Sequence, residues 1–359
     1  MAFTPFGKKS FVGLDLGHHT IKAAQLEETS GGWRITRFGS IATPEEAVKD
    51  GIVLDAQLMG AAIKQLLRES DISATSAVVA VAGGSVVVRT VRIPTMAEAT
   101  LRKSIKFEAG RYVPSSVEDS YIEFDIIGEV DDQQMDVLIV AAPRELVNSR
   151  IASCEAAGLT VEIVDVEPFA SHRVLVEEDD SGDGLTVALV DIGAATTSMS
   201  VVSNGVFMMT RSIPQAGDGL TDALKSHFKL SQTDAEAGKA QLDLNELMAD
   251  GGKDNPPLRV IQPLVDDLVR EIRRSLNYFQ SQQTEGGQSK NVDQLVLSGG
   301  GSKMSGIAKY VEQKLGIPTR AGDVGSIPHF VVESHAEASG VSDLSVATGL
   351  AMRAFRNAA

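Results

Sequence analysis

The sequence has a single cysteine, Cys154, so no disulfide can form within the chain and a reducing compartment fits it. No run approaches the roughly 20 apolar residues that a membrane-crossing helix needs. The opening MAFTPFGKKS lacks the apolar segment of a secretory signal. Positive charge is also scarce: 33 Lys and Arg stand against 48 Asp and Glu, a net charge of −15. Such a surface repels phosphate backbones and excludes nucleic acid as a general partner. These absences predict a soluble, cytoplasmic chain with no direct membrane insertion, able to reach a membrane only through a partner. What is present is apolar material, 43% of 359 residues, enough for real cores in one large or two ordinary domains.

The stretch FVGLDLGHHT, Phe11 to Thr20, reads as a buried strand over 11–16 and a tight turn at Gly17-His18-His19, before a second strand over 20–27. A helix over 58–69 places Leu58, Met59, Ala62, Ile63, Leu66 and Leu67 on one face. Strands over 76–83 and 86–93 flank the Gly83-Gly84 turn. A helix over 95–114, capped by Thr95 and ended by Pro114, is followed by strands near 120–127 and 136–142 around the acidic turn GEVDDQQ. A further helix over 143–158 stops at Gly158. The block from 78 to 165 therefore runs β-β-α-β-β-α-β and reads as a small α+β subdomain.

VEEDDSGDGL (176–185) reads as a linker. Beyond it, LTVALVDIGAATTSMSVVSNGVF repeats the opening pattern of apolar strand, Asp, apolar residue, Gly, turn and strand. Asp15 and Asp191 stand 176 residues apart, near half the chain, which suggests two similar halves. Helices follow over 218–228 and 231–241, then a loop, NELMADGGKDNPP. The long amphipathic helix over 259–280 carries Ile261, Leu264, Val265, Leu268, Ile272, Leu276 and Phe279 on its apolar stripe. A strand, a glycine turn and a helix fill 294–316, and a small-residue helix fills 345–355.

Strand–Asp–x–Gly–turn occurs twice and strand–Gly-Gly-Gly–helix once. Glycine-rich turns expose successive amide N–H groups that form an anion-binding concavity, and a helix beginning after such a turn adds its positive end. An aspartate at a strand end can hold Mg²⁺ through waters. Adjacent histidines in a turn rarely converge on one metal, and no third His, Cys or H-x-x-x-H spacing supports a site at His18-His19. They read as turn residues near a ligand or solvent. Cys154, on an apolar-faced helix, reads as an inert core thiol.

With these motifs in place, the chain resembles the actin-like ATPase superfamily over nearly its whole length. GLDLGHHT is similar to the first phosphate motif, LVDIGAATT to the second, LVLSGGGSKMSG to the adenosine motif, and DVEPFASHRVL (165–175) and SVATGLAMR to the two connecting motifs. The resemblance implies a two-lobed α/β fold of duplicated ribonuclease H-like domains, with ATP and Mg²⁺ in the cleft. The first lobe would comprise 10–77, 166–180 and 340–359. The insert would span 78–165, and the second lobe 181–339 with 229–289 as its upper subdomain. Asp15, Gly17, His18, His19, Thr20 and Lys22 would face metal and phosphates from one lobe, and Asp191, Gly193, Ala194, Thr196 and Thr197 from the other. Asp15 and Asp191 would hold Mg²⁺ through water. Gly217 and Gly219 would line the cleft, and Gly299, Gly300, Gly301 and Met304 would pack against adenosine. Glu236 and Lys239 read either as a solvated surface pair or, by resemblance, as ribose and adenine contacts. Glu167 reads either as a helix-start carboxylate favoured by the dipole or as the catalytic group that positions attacking water.

Within the superfamily the chain is similar to PilM-type pilus assembly proteins, whose extra subdomain occupies the position of GGSVVVRTVRIPTMAEATLRKSIKFEAGRYVPSSVED. First phosphate loops of that type carry small residues where this chain has His18 and His19, so backbone contacts survive and hydroxyl contacts fall to Thr20. The implied function is an ATP-binding scaffold, at most a slow ATPase, that docks the cytoplasmic N-terminal segment of a PilN-like inner-membrane protein. Pilus motor ATPases and self-association are further candidate contacts. Arg89, Arg92, Lys103, Lys106 and Arg111, with Phe107 and Tyr112, would form a basic-aromatic docking surface in the groove between insert and first lobe. Two alternatives stay open: an FtsA-like division filament protein, whose chains end in an amphipathic membrane helix where this one ends in AFRNAA, and a small-molecule kinase, for which no substrate-deprotonating carboxylate is evident.

Overall fold

The computed structural model describes residues 10–113, 116–177, 184–249, 254–283, 291–333 and 343–356. The leader through Lys9, Pro114, most of the expected linker and the last three residues of the AFRNAA end lie outside the described residues.

The chain opens with antiparallel strands β1 (Phe11–Leu16), β2 (Thr20–Thr29) and β3 (Gly32–Ala42) and a two-residue pair, β4 (Val48–Lys49) and β5 (Ile52–Val53). Helix α1 (Ala56–Glu69) begins two residues before the apolar pattern does. Asp55 sets that start by accepting from the amides of Gln57 and Leu58. Its inner face matches the expected stripe except at Leu58, which is 45% exposed. Then come β6 (Ser76–Val81), β7 (Val87–Pro94), α2 (Glu98–Ala109), β8 (Ser120–Glu129), β9 (Gln134–Pro143), α3 (Arg144–Ala156) and β10 (Thr160–Val166), in the expected order. α2 is shorter than its pattern: Ala97, not Thr95, is its cap residue, and it stops at Gly110. α4 (Glu167–His172) continues into a π-type turn over Arg173–Glu177.

The second half of the chain holds β11 (Thr186–Ile192), β12 (Thr197–Ser203), β13 (Val206–Ile213), α5 (Gly217–Phe228), α6 (Gln232–Ala240), α7 (Asn245–Ala249) and α8 (Pro256–Gln283). α7 lies in the stretch expected to be a loop. β14 (Gln294–Ser298), α9 (Ile307–Leu315), β15 (Thr319–Ala321), β16 (Phe330–Val332) and α10 (Ser345–Arg356) complete it.

Two compact units result. The first is built from the chain up to Val81, from Glu145–Val174, and from Asp323 onward. Its six-stranded sheet runs β10-β6-β1-β2-β3-β16. One core, including Val12, Leu14, Ile63, Leu66, Val79 and Cys154, lies on the α1 and α3 side. A second core joins Val78, Ala80, Ala170 and Leu350. α10 approaches β1 backbone to backbone: a Cβ added at Gly13 would sit 2.0 Å from the carbonyl oxygen of Ala347. Gly349 has the same relation to the carbonyl of Ala170 on α4. The small residues of SVATGLAMR are therefore a packing requirement.

The second unit takes Ala82–Arg144 and Leu175–Gly322. Its eight-stranded sheet runs β15-β14-β11-β12-β13-β7-β9-β8. The main core lies where β11, β12, β14, α5, α6, α8 and α9 meet, with Ile261, Val265, Ile272, Leu276 and Phe279 of α8 fully or almost fully buried. A smaller core joins Leu101, Ile105 and Ala109 of α2 to Val91, Ile93, Met135, Val137 and Ile139.

The expected boundaries shift accordingly. β6 pairs in parallel with both β1 and β10, so the ends of the 78–165 block belong to the first sheet and only 82–144 joins the second unit. Residues 323–333, expected with the second lobe, join the first unit, because β16 pairs with β3. Strand pairing across long sequence separations sets where these units divide, and no local pattern carries that information.

Candidate functional site

The two Asp-x-Gly hairpins correspond register for register. In the first unit Asp15 pairs with Lys22 and Leu14 with Ala23; in the second, Asp191 pairs with Ser198 and Val190 with Met199. The separation of 176 residues holds at each partner. A Cβ at Gly17 would meet the Thr20 carbonyl at 2.7 Å, and one at Gly193 would meet the Thr196 carbonyl at 2.7 Å. Each turn is thus closed on its own backbone at the same point. Each first strand also carries a parallel neighbour on its other side, β6 for β1 and β14 for β11.

In the second unit the expected residues converge. Asp191 is the next-to-last residue of β11, and its Oδ2 accepts from Ser298 Oγ at 2.8 Å. Gly299 follows at φ +81°, where an added Cβ would lie 2.7 Å from Asp191 Oδ1 and 2.6 Å from the Ile192 carbonyl. Gly301 presses on the Ile192 side chain, while Gly300 faces open space. On the other side of the turn, α5 begins: the Gly217 amide donates to the Gly193 carbonyl (3.0 Å) and the Asp218 amide to the Ala194 carbonyl (2.9 Å). Gly219 has no neighbour that would obstruct a Cβ.

Glu236 and Lys239 of α6 are tied to the same helix. Lys239 Nζ lies 2.9 Å from Glu236 Oε2 and donates to Thr221 Oγ1 (2.6 Å) and to the Gly217 carbonyl (3.3 Å). Thr221, fully buried, also bonds Glu236 Oε1 at 2.5 Å. The pair is therefore a fixed element, not two independent surface charges. Thr221 and Ser298 were missed by sequence reasoning. The only signal for either was position: one turn into α5, and the last residue before the glycine run.

In the first unit Asp15 is buried at 9% exposure, and Lys22 Nζ lies 3.7 Å from both Asp15 Oδ2 and Asp343 Oδ2. Lys22 thus serves carboxylates of its own unit. The Gly17 carbonyl accepts from Thr43 Oγ1 (2.8 Å), and the His19 carbonyl accepts from the Thr43 amide (2.9 Å). His18 and His19 are exposed, with their rings stacked 5.8 Å apart, and Thr20 is half-buried at the start of β2. Glu167 opens α4 ahead of Pro168.

Arg150, on the inner face of α3, was also missed. Its Nε donates to the Ala80 carbonyl at 2.7 Å, and a second nitrogen donates to the Gly51 carbonyl. Burial pushes its guanidinium below the ordinary arginine value, while the charges of Glu167 and Asp15 pull it back up. A buried cation thereby sits within the field of both candidate carboxylates. The signal was present: position 150 falls between Leu146, Val147 and Cys154 on the apolar stripe. Cys154 itself is buried, and burial pushes its thiol up to about 12, as expected of an inert core thiol.

Two residues depart from expectation. Thr197 is fully buried and donates its hydroxyl to the Gln215 carbonyl at 2.7 Å, so it braces the turn from inside. Met304 is 8% exposed and belongs to the main core of the second unit. The basic-aromatic surface changes too. Arg92 pairs with Asp136, Lys106 with Glu118 and Arg111 with Glu108. Arg89 covers the ring of Tyr112, which packs against the smaller core. Lys103 is exposed, and Phe107, at 71%, is the most exposed large apolar side chain among the described residues.

A family profile described as "Type IV pilus assembly protein PilM" matches residues 13–355. The chain belongs to the PilM family. Its solved neighbours share the actin-like fold. The structure titled "PilM-PilN type IV pilus biogenesis complex" superposes with a TM-score of 0.82 at 24% identity, covering 95% of this chain and 97% of that one. EutJ, the ethanolamine utilization protein of Carboxydothermus hydrogenoformans, gives 0.58 at 17% identity, covering 97% and 91%. MreB5 of Spiroplasma citri bound to AMPPNP gives 0.51 at 12% identity, covering 98% and 99%. Among curated proteins, the cell division protein FtsA of Pseudomonas aeruginosa is 25% identical over 354 residues, 88% of this chain and 83% of that protein. FtsA of Streptococcus pneumoniae serotype 2 is 24% identical over 289 residues, 73% of this chain. That match spans only 60% of the Streptococcus protein.

Proposed function

We propose that this PilM-family chain is an adenine-nucleotide-binding assembly protein for type IV pili that docks the cytoplasmic N-terminal segment of a PilN-type inner-membrane protein. The observation that carries the nucleotide half is the paired hairpin: two Asp-x-Gly turns of the same register, each closed so tightly that a Cβ would collide with backbone. A cradle that excludes side chains leaves backbone amides for a phosphate. The residues fit ATP with Mg²⁺. Asp15 and Asp191 are the next-to-last residues of their strands, carboxylates suited to metal-bound water. Gly17 to Thr20 and Ala194 to Thr196 would supply amides, while the Gly193 amide and the first two amides of α5 brace the second turn from within. Glu236 and Lys239, preset by Thr221, serve ribose and base, with Gly299 to Gly301 allowing close approach of the adenosine. ATP brings the transferable γ-phosphate, and the metal offsets its charge. Glu167 is the candidate for orienting water, held in the field of Arg150. Both turns are built for binding and Glu167 also serves as the opening carboxylate of α4, which supports slow hydrolysis at most.

The docking half rests on family membership and on the solved PilM-PilN complex. The anchor assigned on this chain is Phe107, exposed on α2 beside Arg111. Such docking brings the protein to the inner face of the inner membrane from the cytoplasm without lipid contact.

Two titrations test this reading. Calorimetry with ATP should show Mg²⁺-dependent binding that Asp191→Ala removes; unchanged Mg²⁺ dependence refutes the site. A PilN-type N-terminal peptide should bind the intact chain and bind Phe107→Ala more weakly, with ATP binding retained. Equal peptide affinity in the two proteins refutes the anchor.

A further inference from the structure

The last strand of the eight-stranded sheet is β8, paired with β9 on one side only. Proteins blunt such edges by keeping them short, by placing charged side chains, lysine above all, or proline on them, or by bulges. β8 is ten residues long and contains no lysine, arginine or proline. Its pairing with β9 runs unbroken from Ser120 to Ile126, and only then does a bulge at Ile127 interrupt the register. Seven residues at about 3.4 Å each give an open edge of roughly 24 Å. Large apolar side chains are exposed along and just beyond it: Tyr121 at 40%, Ile126 at 36%, Ile127 at 37% and Val130 at 45%.

The charge carried by the strand itself is of one sign, although two guanidiniums flank it, Arg144 over the Tyr121 ring (4.3 Å) and Arg102 over the Phe124 ring (5.0 Å). Between Tyr112 and Pro143 the sequence has eight carboxylates and no lysine, arginine or histidine. Asp136 and Glu118 are paired with Arg92 and Lys106. Glu123, Asp125 and Glu129 are exposed on the strand itself.

We infer that the β8 edge is a second docking surface, which takes up an extended basic segment of a partner protein, alternating apolar and Lys or Arg residues, as an added strand beside Ser120–Ile126. Main-chain pairing would supply the affinity and the carboxylates the selection. The same carboxylates disfavour a second copy of this chain, whose own β8 would bring like charges into opposition. The surface is distinct from Phe107 on α2, and it does not depend on the nucleotide reading.

The test uses the full chain and a synthetic capped heptapeptide, Val-Lys-Val-Lys-Val-Lys-Val. The control, Pro-Lys-Gly-Lys-Pro-Lys-Gly, has the same charge but cannot form a strand. By fluorescence anisotropy at low salt the first should bind at least tenfold tighter than the second. Hydrogen exchange should slow at 120–126 in its presence. The surface double variant Glu123→Lys with Asp125→Lys should lose at least tenfold of that affinity while its melting transition and ATP binding stay unchanged. Equal binding of the two peptides would reduce the effect to charge attraction and overturn the inference. So would protection that falls elsewhere, or affinity unaffected by the double variant. A dimer in sedimentation, with 120–126 protected in the free chain, would make a second copy the occupant and also overturn it.

Discussion

The run Gly299-Gly300-Gly301 offers three glycines in one loop with three different environments. Gly299 sits at φ +81°, and a Cβ there would stand 2.6 Å from the Ile192 carbonyl and 2.7 Å from Asp191 Oδ1. A left-handed non-glycine residue costs roughly 1–2 kcal/mol. Forcing a methyl against packed backbone adds about 1–3 kcal/mol. Gly299→Ala should therefore cost about 2–5 kcal/mol of stability, and it presses on the end of β11 and the Asp191 carboxylate proposed above to hold metal-bound water. Nucleotide affinity should fall in the same order across alanine variants of the three glycines, because only Gly299→Ala presses on the Asp191 carboxylate. Gly301→Ala meets the Ile192 side chain at 2.3 Å, and Ile192 is itself buried, so it should cost about 1–3 kcal/mol. Gly300→Ala meets nothing within 4 Å at an ordinary φ, and the smaller entropy of its unfolded chain should stabilise it by about 0.4–1 kcal/mol. Urea unfolding of the three single variants, with titration of a fluorescent ATP analogue, gives the order 299 worst, 301 intermediate, 300 silent or better. Equal damage at all three, or greatest damage at Gly300, would refute the claim that this loop is shaped by its packing on β11.

Thr221→Val keeps shape and removes the hydroxyl that joins Glu236 and Lys239 to α5. It should lower ATP affinity about tenfold and narrow discrimination against GTP, read by competition. Cys154 should resist a thiol reagent at pH 8 in the native protein and react fully in urea. Because its folded thiol sits at about 12, above the unfolded value near ~8.5, the unfolded state loses its proton first. Stability should accordingly fall above about pH 9 by up to about 1.4 kcal/mol per pH unit from this group. Below that pH the group has no effect. The stability difference between wild type and Cys154→Ala should shrink over the same range, and a constant difference would refute the assignment. Arg150→Met leaves the Ala80 and Gly51 carbonyls without their donor and should cost about 3–5 kcal/mol in thermal or urea unfolding.

Much of the fold was legible because its signals are local. The strand, aspartate and glycine at 11–17 and at 187–193 needed no tertiary information, and their common spacing pointed to duplication before any pairing was known. The element order through the insert followed from periodicity and turn residues alone. The boundaries did not, since β6 joins the first sheet by pairing with β1, far away in sequence, and β10 joins it by pairing with β6. Thr197 and Thr196 look alike as neighbouring turn hydroxyls, yet strand alternation sends one into the core and leaves the other exposed. Met304, beside a glycine loop, packs into the main core of the second unit, as its hydrophobicity alone favours. The basic character of 89–111 was real in sequence, but its charges are paired in the fold: Arg92 of β7 with Asp136 on β9, Lys106 of α2 with Glu118 before β8, and Arg102 and Arg111 with Glu98 and Glu108 of α2 itself.

The join between β7 and β13 has a consequence for how this protein can be taken apart. The two strands meet through the Met209–Arg89 pair, with Thr90 Oγ1 donating to the Phe207 carbonyl and Thr210 Oγ1 to the Val88 carbonyl. Residues 82–144 are therefore not a removable module on a finished body. Excising them would strip β13 of its neighbour and turn an interior strand into a raw border prone to self-pairing. It would also cut the chain at the first residue of α3, whose Arg150 holds the Ala80 and Gly51 carbonyls. A deletion that abolished partner binding would report this collateral damage as much as any loss of a docking surface. Single substitutions on exposed positions are the informative tools here, and grafts of the segment onto another scaffold need to carry a strand in the place of β13.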